Sequence, residues 1–206
     1  MNPEMTAPVV SPRLVRRFVD SVSAEVGVEK LSPILSAVEL SPQDISYDML
    51  TRLDGAALAR VYAAFQQSLR LYYGHGARGI LLRVGRNMWE RITMQANLLE
   101  KAELEIARRL PVPARRRRVL DLVAGQLREG GGAASIHTLD LDLLLADHSA
   151  AATVGQSAEE PICFVTLGLI EGALSWATGQ DADVEEISCK AAGASACEFR
   201  IKLGGK

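Results

Sequence analysis

Three consecutive glycines, Gly130 to Gly132, divide the chain into two parts with different hydrophobic patterns. Before them, apolar residues recur every three or four positions, as they do on the buried face of an α-helix. After them, short segments are typical of β-strands, and one apolar segment between the strands predicts a buried helix. The chain is therefore expected to be an α+β protein in which a small antiparallel sheet packs against several helices.

The N-terminal region is predicted to be a loose tail followed by a helical lobe. The first ten residues contain two prolines and no helical pattern. Ser11 and Pro12 then form a helix-start signal, and two further Ser-Pro pairs favour short helices or turns over one long element. We therefore predict one unit over residues 1–53, the tail and lobe, and a second, the main domain, over residues 54–206.

Three longer helices are predicted between this lobe and the glycines, at residues 54–73, 77–110 and 114–128. The segment Gly74–Gly79 spells G-x-G-x-x-G, which in dinucleotide-binding proteins follows a β-strand. Here it follows an amphipathic helix, so a turn between two helices with glycines at the cap is the better interpretation. No nicotinamide or flavin site is predicted.

Four strands and one helix are predicted beyond the glycines. The strands cover residues 135–140, 142–148, 184–190 and 196–203, and the helix opens at Pro161. The helix is apolar nearly all round, which indicates burial, and its G-x3-G spacing allows another element to approach its backbone closely. The last two strands are expected to form a hairpin.

Three cysteines and a glutamate form the pattern C-x22-E-x2-C-x7-C at Cys163, Glu186, Cys189 and Cys197. Thiolates suit zinc, and these four donors could complete a tetrahedral site. A hairpin centred on Gly193 places Cys189 opposite Cys197 with both sulfurs inward. Glu186 would face the other side of a regular strand, so it needs a β-bulge to join them. The alternative is that the cysteines are small buried hydrophobes and the glutamate belongs to a run of acids.

The same hairpin register makes two further predictions. Ile187 and Phe199 are expected on the buried face together with the two cysteines. Cys163 is expected in the first turn of the buried helix, where free N–H groups and the helix dipole favour a thiolate. Three sulfurs are therefore expected to converge where the helix start meets the hairpin.

Charge and leader signals exclude several classes of partner. The formal net charge is −2, which gives no general attraction to nucleic acid or to an anionic membrane. Arginines crowd residues 108–118, but acids flank them and no aromatic residues interleave, so a solvated face is favoured over a nucleic-acid site. The sequence contains no secretion signal and no membrane span, and an odd cysteine count argues against a disulfide framework. We therefore expect a cytoplasmic protein.

Six residues are the natural candidates to line a ligand pocket, because aromatic walls with a polar anchor suit a planar apolar ligand. They are Tyr72, Tyr73, Trp89, His137, His148 and Trp176. Core packing is the alternative interpretation for each aromatic residue, and the histidines lack the partner spacing of a catalytic motif. No catalytic residue is predicted.

The segment PICFVTLGLIEGALSWATGQDADVEEISCKAAGASACEFRI, residues 161–201, resembles the C-terminal half of the 4-vinyl reductase domain family. Residues 54–95 are similar to the preceding helices of that family more loosely. The resemblance extends to the zinc-containing aromatic-sensing domains of phenol-responsive regulators. It implies a closed structural zinc site at Cys163, Glu186, Cys189 and Cys197. It also implies the ligand-binding fold shared by nitric-oxide signalling and Golgi trafficking proteins.

Two functions follow from the resemblance. The first is a domain that binds a small hydrophobic or aromatic ligand as a sensor or carrier, with its output passing through a downstream partner protein. A homodimer formed through residues 11–70 is expected. The alternative is an enzyme or an accessory carrier in bacteriochlorophyll biosynthesis, where a tetrapyrrole vinyl group is reduced. Because the sequence offers no catalytic or redox-cofactor motif, the carrier role is favoured over the reductase role.

Overall fold

The computed structural model describes residues 8–203, and within this range it contains eight α-helices and one four-stranded sheet. Residues 1–7 of the predicted N-terminal tail lie outside the described range. The helices are α1 (Pro12–Val26), α2 (Leu31–Ser36), α3 (Tyr47–Leu50), α4 (Gly55–Tyr73), α5 (Ala77–Met94), α6 (Leu98–Arg109), α7 (Val112–Arg128) and α8 (Phe164–Thr178). The strands are β1 (Ala134–Leu139), β2 (Asp142–Asp147), β3 (Asp183–Ser188) and β4 (Cys197–Lys202). None of the described helices is long and apolar enough to cross a membrane.

The sheet is antiparallel throughout and has the strand order β1-β2-β4-β3. Its two hairpins, β1–β2 and β3–β4, are joined through β2 and β4, where Leu145 lies opposite Phe199. Alternate residues on these central strands, such as Leu143 and Ile201, are buried. Helices α7 and α8 pack on the sheet. The predicted α+β class is confirmed, and so are the four strands to within about two residues at each end.

Helices α5 and α8 form the most intimate helix contact of the fold, because glycines let their backbones touch. A Cβ atom on Gly168 would collide with the carbonyl oxygen of Leu82, and one on Gly172 would lie 2.9 Å from Cα of Arg86. On the facing helix, a Cβ atom on Gly85 would collide with the carbonyl oxygen of Val165. The close approach predicted from the G-x3-G spacing is therefore confirmed.

The single helix predicted over residues 77–110 is wrong, because the chain breaks into α5 and α6 at residues 95–97. Asn97 begins α6 with a capping box: its side chain accepts from the backbone N–H of Glu100, and the Glu100 carboxylate accepts from the backbone N–H of Asn97. Arg13 on α1 binds the same carboxylate at 2.6 and 3.0 Å. A local cap and a distant arginine together stop the helix.

The N-terminal helix α1 packs on α5 and shares the main hydrophobic core. Its fully buried Phe18 meets the rings of Tyr62 and Phe65 edge to face, at centroid distances of 4.9 and 5.2 Å. Residues 28–50 form short helices and turns, as predicted. The division of the chain at residue 53 stays a prediction.

Candidate functional site

Four potential metal ligands converge where α8 begins beside the β3–β4 hairpin. Cys163 is the residue before the first turn of α8, Glu186 lies in β3, Cys189 follows β3, and Cys197 opens β4. One ligand atom from each lies within 4.8 Å of the others. The sequence placed Cys163 in the first helical turn, and the structure places it one residue earlier, at the N-cap. The predicted convergence of the three sulfurs is present.

A β-bulge brings Glu186 to the same side as the cysteines. Glu186 pairs with Phe199, whereas Ser188 pairs with Glu198, so the strand carries one extra residue at position 187. The predicted bulge is thereby confirmed. The prediction that Ile187 shares the buried face with Phe199 is wrong, because the extra residue turns Ile187 outward, where it is 43% exposed.

The distances between the sulfurs suit a tetrahedral metal. Cys163 Sγ lies 3.9 Å from Cys189 Sγ and 3.4 Å from Cys197 Sγ, and the last two are 3.8 Å apart. Four ligands at a zinc–sulfur distance of about 2.3 Å in a tetrahedron are about 3.8 Å from one another. Glu186 Oε2 accepts a hydrogen bond from the backbone N–H of Cys163 at 2.9 Å, while its buried Oε1 has no partner among the described residues. A metal ion would satisfy that oxygen.

The electrostatics of the cluster also favour a cation. Burial, with the charge of Cys189 as the second cause, raises the pKa of Glu186 to about 8. Hydrogen bonds to Cys189 and Cys197, together with burial, raise the pKa of Cys163, so these outweigh the effect predicted for the helix start. The same hydrogen bonds, seen from the accepting sulfur, lower the pKa of Cys189. Without a cation the cluster resists holding four negative charges.

The candidate metal centre is closed to solvent and fastened from outside. The three cysteines are 1–2% exposed. The backbone N–H of Lys190 points at Cys197 Sγ at 3.4 Å, and Ala158 donates to the carbonyl of Ala191 at 2.9 Å, which ties a neighbouring loop to the turn between β3 and β4. A site of this kind fits a structural metal better than a catalytic one, which needs an open position.

The six ligand candidates occupy three separate places. Trp89 on α5 and Trp176 on α8 meet edge to face, with ring centroids 5.7 Å apart. The second group, Tyr72 and Tyr73, contact each other at the end of α4. On the sheet, His137 and His148 are exposed and both contact Ser135 Oγ, at 2.8 and 3.1 Å. The structure does not bring the three groups together.

The tryptophan pair borders a cleft of about 490 Å³ between α5, α8 and the loop that follows α8. Trp89 is nearly buried, whereas Trp176 is half-buried. The other lining residues are Arg86, Glu90, Glu171, Gly172, Ser175, Asp181 and Ala182. Sequence reasoning missed the charged members of this group. Glu90 and Glu171 lie four residues from Arg86 and one residue from Gly172 respectively, but nothing in the sequence shows that the two helices cross there.

Comparison with solved structures defines the fold. An H-NOX protein from S. oneidensis in the Fe(II)NO ligation state matches with a TM-score of 0.59 and 14% identity, over 95% of this chain and 100% of that one. The phenol-responsive sensory domain of the transcription activator PoxR, solved with phenol, matches with a TM-score of 0.51 and 16% identity, over 72% of this chain and 74% of that one. The predicted relation to the fold of nitric-oxide signalling proteins is confirmed.

Sequence comparison then identifies the C-terminal region. Residues 146–203 match the model of the 4-vinyl reductase domain family, so the resemblance predicted from the sequence is confirmed over this part of the chain. The match includes all four metal-ligand candidates. A sequence search of curated proteins gives no match.

Proposed function

We propose that this protein uses its 4-vinyl reductase domain, with zinc bound, to hold a small hydrophobic or aromatic ligand, and that it acts as a sensor or carrier. The observation that carries this proposal is that Trp89 and Trp176 meet at the rim of a cleft of about 490 Å³. A cleft of this size with an aromatic wall fits one small planar molecule. The neighbouring fold of PoxR was solved with phenol, and at 16% identity that likeness supports the fold of a sensory domain.

Zinc would be held by Cys163, Glu186, Cys189 and Cys197. When bound, it supplies a cross-link between the start of α8 and the β3–β4 hairpin, and neutralises part of the charge of the three thiolates and the carboxylate. The backbone N–H groups of Cys163 and Lys190 orient Glu186 and Cys197 toward the centre of the cluster. Because α8 also forms the floor of the cleft, this cross-link would fix the helix that carries Trp176.

Metal analysis tests the zinc part of the proposal. Protein purified without added zinc should contain about one equivalent, and a strong chelator should remove it and lower the melting temperature. A zinc content well below one equivalent, together with no change in stability on chelation, would show that the cysteines are only buried hydrophobes.

Tryptophan fluorescence tests the ligand part. The chain has two tryptophans, and both lie at the cleft, so their emission reports on this site alone. Titration with phenol and other small aromatics should change the emission in a saturable way. If no aromatic compound changes the emission or releases heat in calorimetry, the ligand-binding proposal fails.

The tetrapyrrole alternative is a distinct outcome of the same work. Absorbance in the Soret region from freshly purified protein would favour a carrier in bacteriochlorophyll biosynthesis. All three histidines of the chain are exposed, so this alternative rests on the cleft and not on an iron-ligating histidine inside the fold. Mass spectrometry of small molecules extracted from native protein would distinguish the two.

The homodimer through residues 11–70, the downstream partner protein and the cytoplasmic location complete the proposal. Sedimentation at micromolar concentration tests the dimer. A monomeric mass would remove it and leave the ligand proposal standing.

A further inference from the structure

We propose that the tryptophan cleft selects aromatic ligands that carry a positive charge. The inference rests on the proposed function, because it takes the cleft as the ligand site and adds the chemistry that the site recognises. Four features carry it: the unbalanced carboxylates at the cleft, a cation already placed over the face of Trp176, the unpartnered indole of Trp89, and the rigid floor between them.

The charges that line the cleft do not cancel. Arg86 donates from Nε and Nη2 to a single oxygen of Glu171, at 3.0 and 2.8 Å, so these two charges neutralise each other. Glu90 and Asp181 remain, and neither forms a salt bridge within residues 8–203. Two carboxylates without a partner give the cleft a net negative potential, which attracts a cation and repels an anion.

A cation already lies over the aromatic wall of the cleft. The guanidinium carbon of Arg108 is 5.0 Å from the centroid of the Trp176 ring, within the range of a cation–π contact. Arg108 is exposed, and it comes from α6, outside the residues that line the cleft. The face of Trp176 is therefore open to a charged group from solvent, and a ligand cation would compete with Arg108 for it.

The second tryptophan supplies an unsatisfied polar group. Trp89 is 1% exposed, and its Nε1 has no hydrogen-bond partner among the residues that the structure describes. A buried N–H without an acceptor costs about 1–3 kcal/mol, so a molecule that inserts its ring here can recover that energy through its π-face or an oxygen atom. This favours an aromatic cation over a simple metal or alkyl cation.

The floor of the cleft is held rigid by backbone contact. A Cβ atom on Gly172 would lie 2.9 Å from Cα of Arg86, so α5 and α8 cannot approach more closely or slide freely at this point. Glu90 lies one turn after Arg86 on α5, and Trp176 lies one turn after Gly172 on α8. The carboxylate and the ring are therefore held on adjoining helices at a fixed spacing, as selective binding requires.

Three probes of nearly equal size test the charge preference: benzylamine, benzyl alcohol and benzoate, which are cationic, neutral and anionic at neutral pH. The full-length zinc-loaded protein is titrated with each at low ionic strength, with tryptophan emission and calorimetry as readouts. Benzylamine should bind about tenfold more tightly than benzyl alcohol, and benzoate more weakly than either. The preference should shrink as salt is added.

Charge-neutral variants assign the preference to named residues. The double variant Glu90→Gln/Asp181→Asn should reduce the preference for benzylamine about tenfold and leave benzyl alcohol binding unchanged. Glu159→Gln/Glu160→Gln is the matched control, because it removes two exposed acids from a loop that does not line the cleft. Arg108→Gln should tighten benzylamine binding about threefold, since it removes the competing cation.

The outcomes separate the two proposals. If benzyl alcohol binds as tightly as benzylamine, or if the cleft variant keeps the preference, the charge inference is overturned while aromatic binding stands. If the control variant loses the preference as much as the cleft variant does, the effect is one of net charge, and the inference is again overturned. If none of the three probes binds, the cleft is not the ligand site and both proposals fail.

Discussion

The metal-ligand candidates and the ligand-pocket candidates were chosen from the same sequence, and the fold treats them differently. The four metal-ligand candidates meet within 4.8 Å of one another. The six pocket candidates lie in three groups, on α4, on the exposed side of β1 and β2, and between α5 and α8. Donors that must share one ion are tightly constrained in sequence spacing, whereas aromatic residues are used equally for packing, for surfaces and for pockets.

The two regions also differ in how far apart in the sequence their parts are. The metal-ligand candidates lie within 35 consecutive residues, 163–197, and one hairpin and one helix start position them. The tryptophans are 87 positions apart, since 176 − 89 = 87. They meet only because glycines allow α5 and α8 to touch. Local geometry decides the first region, and helix packing decides the second.

The largest expected effect is at the metal cluster. Cys189→Ser should abolish stoichiometric zinc binding and lower the free energy of unfolding by more than about 3 kcal/mol, because the hairpin loses its link to α8. Ser188→Ala is the control: it removes only the hydrogen bond from Ser188 Oγ to the carbonyl of Ala196 and should cost about 1 kcal/mol with zinc retained. Equal effects of the two variants on zinc content and denaturation midpoint would contradict a metal role.

The helix contact beneath the cleft should give the next largest effect. Gly168→Ala places a methyl group against the carbonyl of Leu82 and should cost about 3 kcal/mol by forcing α5 and α8 apart. Gly125→Ala is a matched change inside α7, where a Cβ atom meets nothing within 4 Å, and it should stabilise the protein by about 0.5–1 kcal/mol. Thermal denaturation of both variants checks the opposite signs. Stabilisation by Gly168→Ala would show that the helices do not touch there.

Two buried carboxylates sharpen the comparison further, since Glu186 lies among the sulfurs and Asp147 lies at the end of β2. Burial raises the pKa of Asp147 to about 6, although the backbone N–H of Ala150 donates to it at 2.8 Å. Because the folded state binds a proton more tightly than the unfolded state, this group stabilises the fold below about pH 4. That stability is lost as the pH rises through about 6.

The measurement for Asp147 is the difference between the wild type and Asp147→Asn. The free energy of unfolding of the wild type, relative to the variant, should fall by about 2–3 kcal/mol between pH 4 and pH 7. Asparagine keeps an oxygen that can accept from Ala150 and does not titrate. Urea denaturation at both pH values checks the difference, and a constant difference would mean that Asp147 has an ordinary pKa.

The smallest effects should come from the pocket candidates away from the cleft. Tyr72→Phe and His148→Gln should change the affinity for a small aromatic ligand less than about twofold, because neither residue lines the cleft. Trp176→Phe should weaken binding about tenfold, since it shortens the aromatic wall. Calorimetric titration of the three variants gives the comparison. A loss of affinity in His148→Gln would move the ligand site to the sheet.

Much of the fold could be predicted from local patterns. The glycines at 130–132 separate helices from strands, and the register of the β3–β4 hairpin followed from its turn, including the bulge that Glu186 requires. The break at residues 95–97 was missed although Asn97 and Glu100 form a capping-box pair. Apolar periodicity on both sides outweighed that signal, and the contact from Arg13 was not visible in the sequence.

By itself, the sequence determined the α+β class, the order of elements and the identity of the four metal-ligand candidates, because each depends on spacing within one or two elements. Only the tertiary structure decided which aromatic residues meet, which charges face them and which glycines touch a neighbouring helix. Those contacts join α5 and α8 across more than 80 residues, and their energies depend on which side chains come together in space. The metal cluster identifies the family, and the cleft gives the chain a place for a ligand.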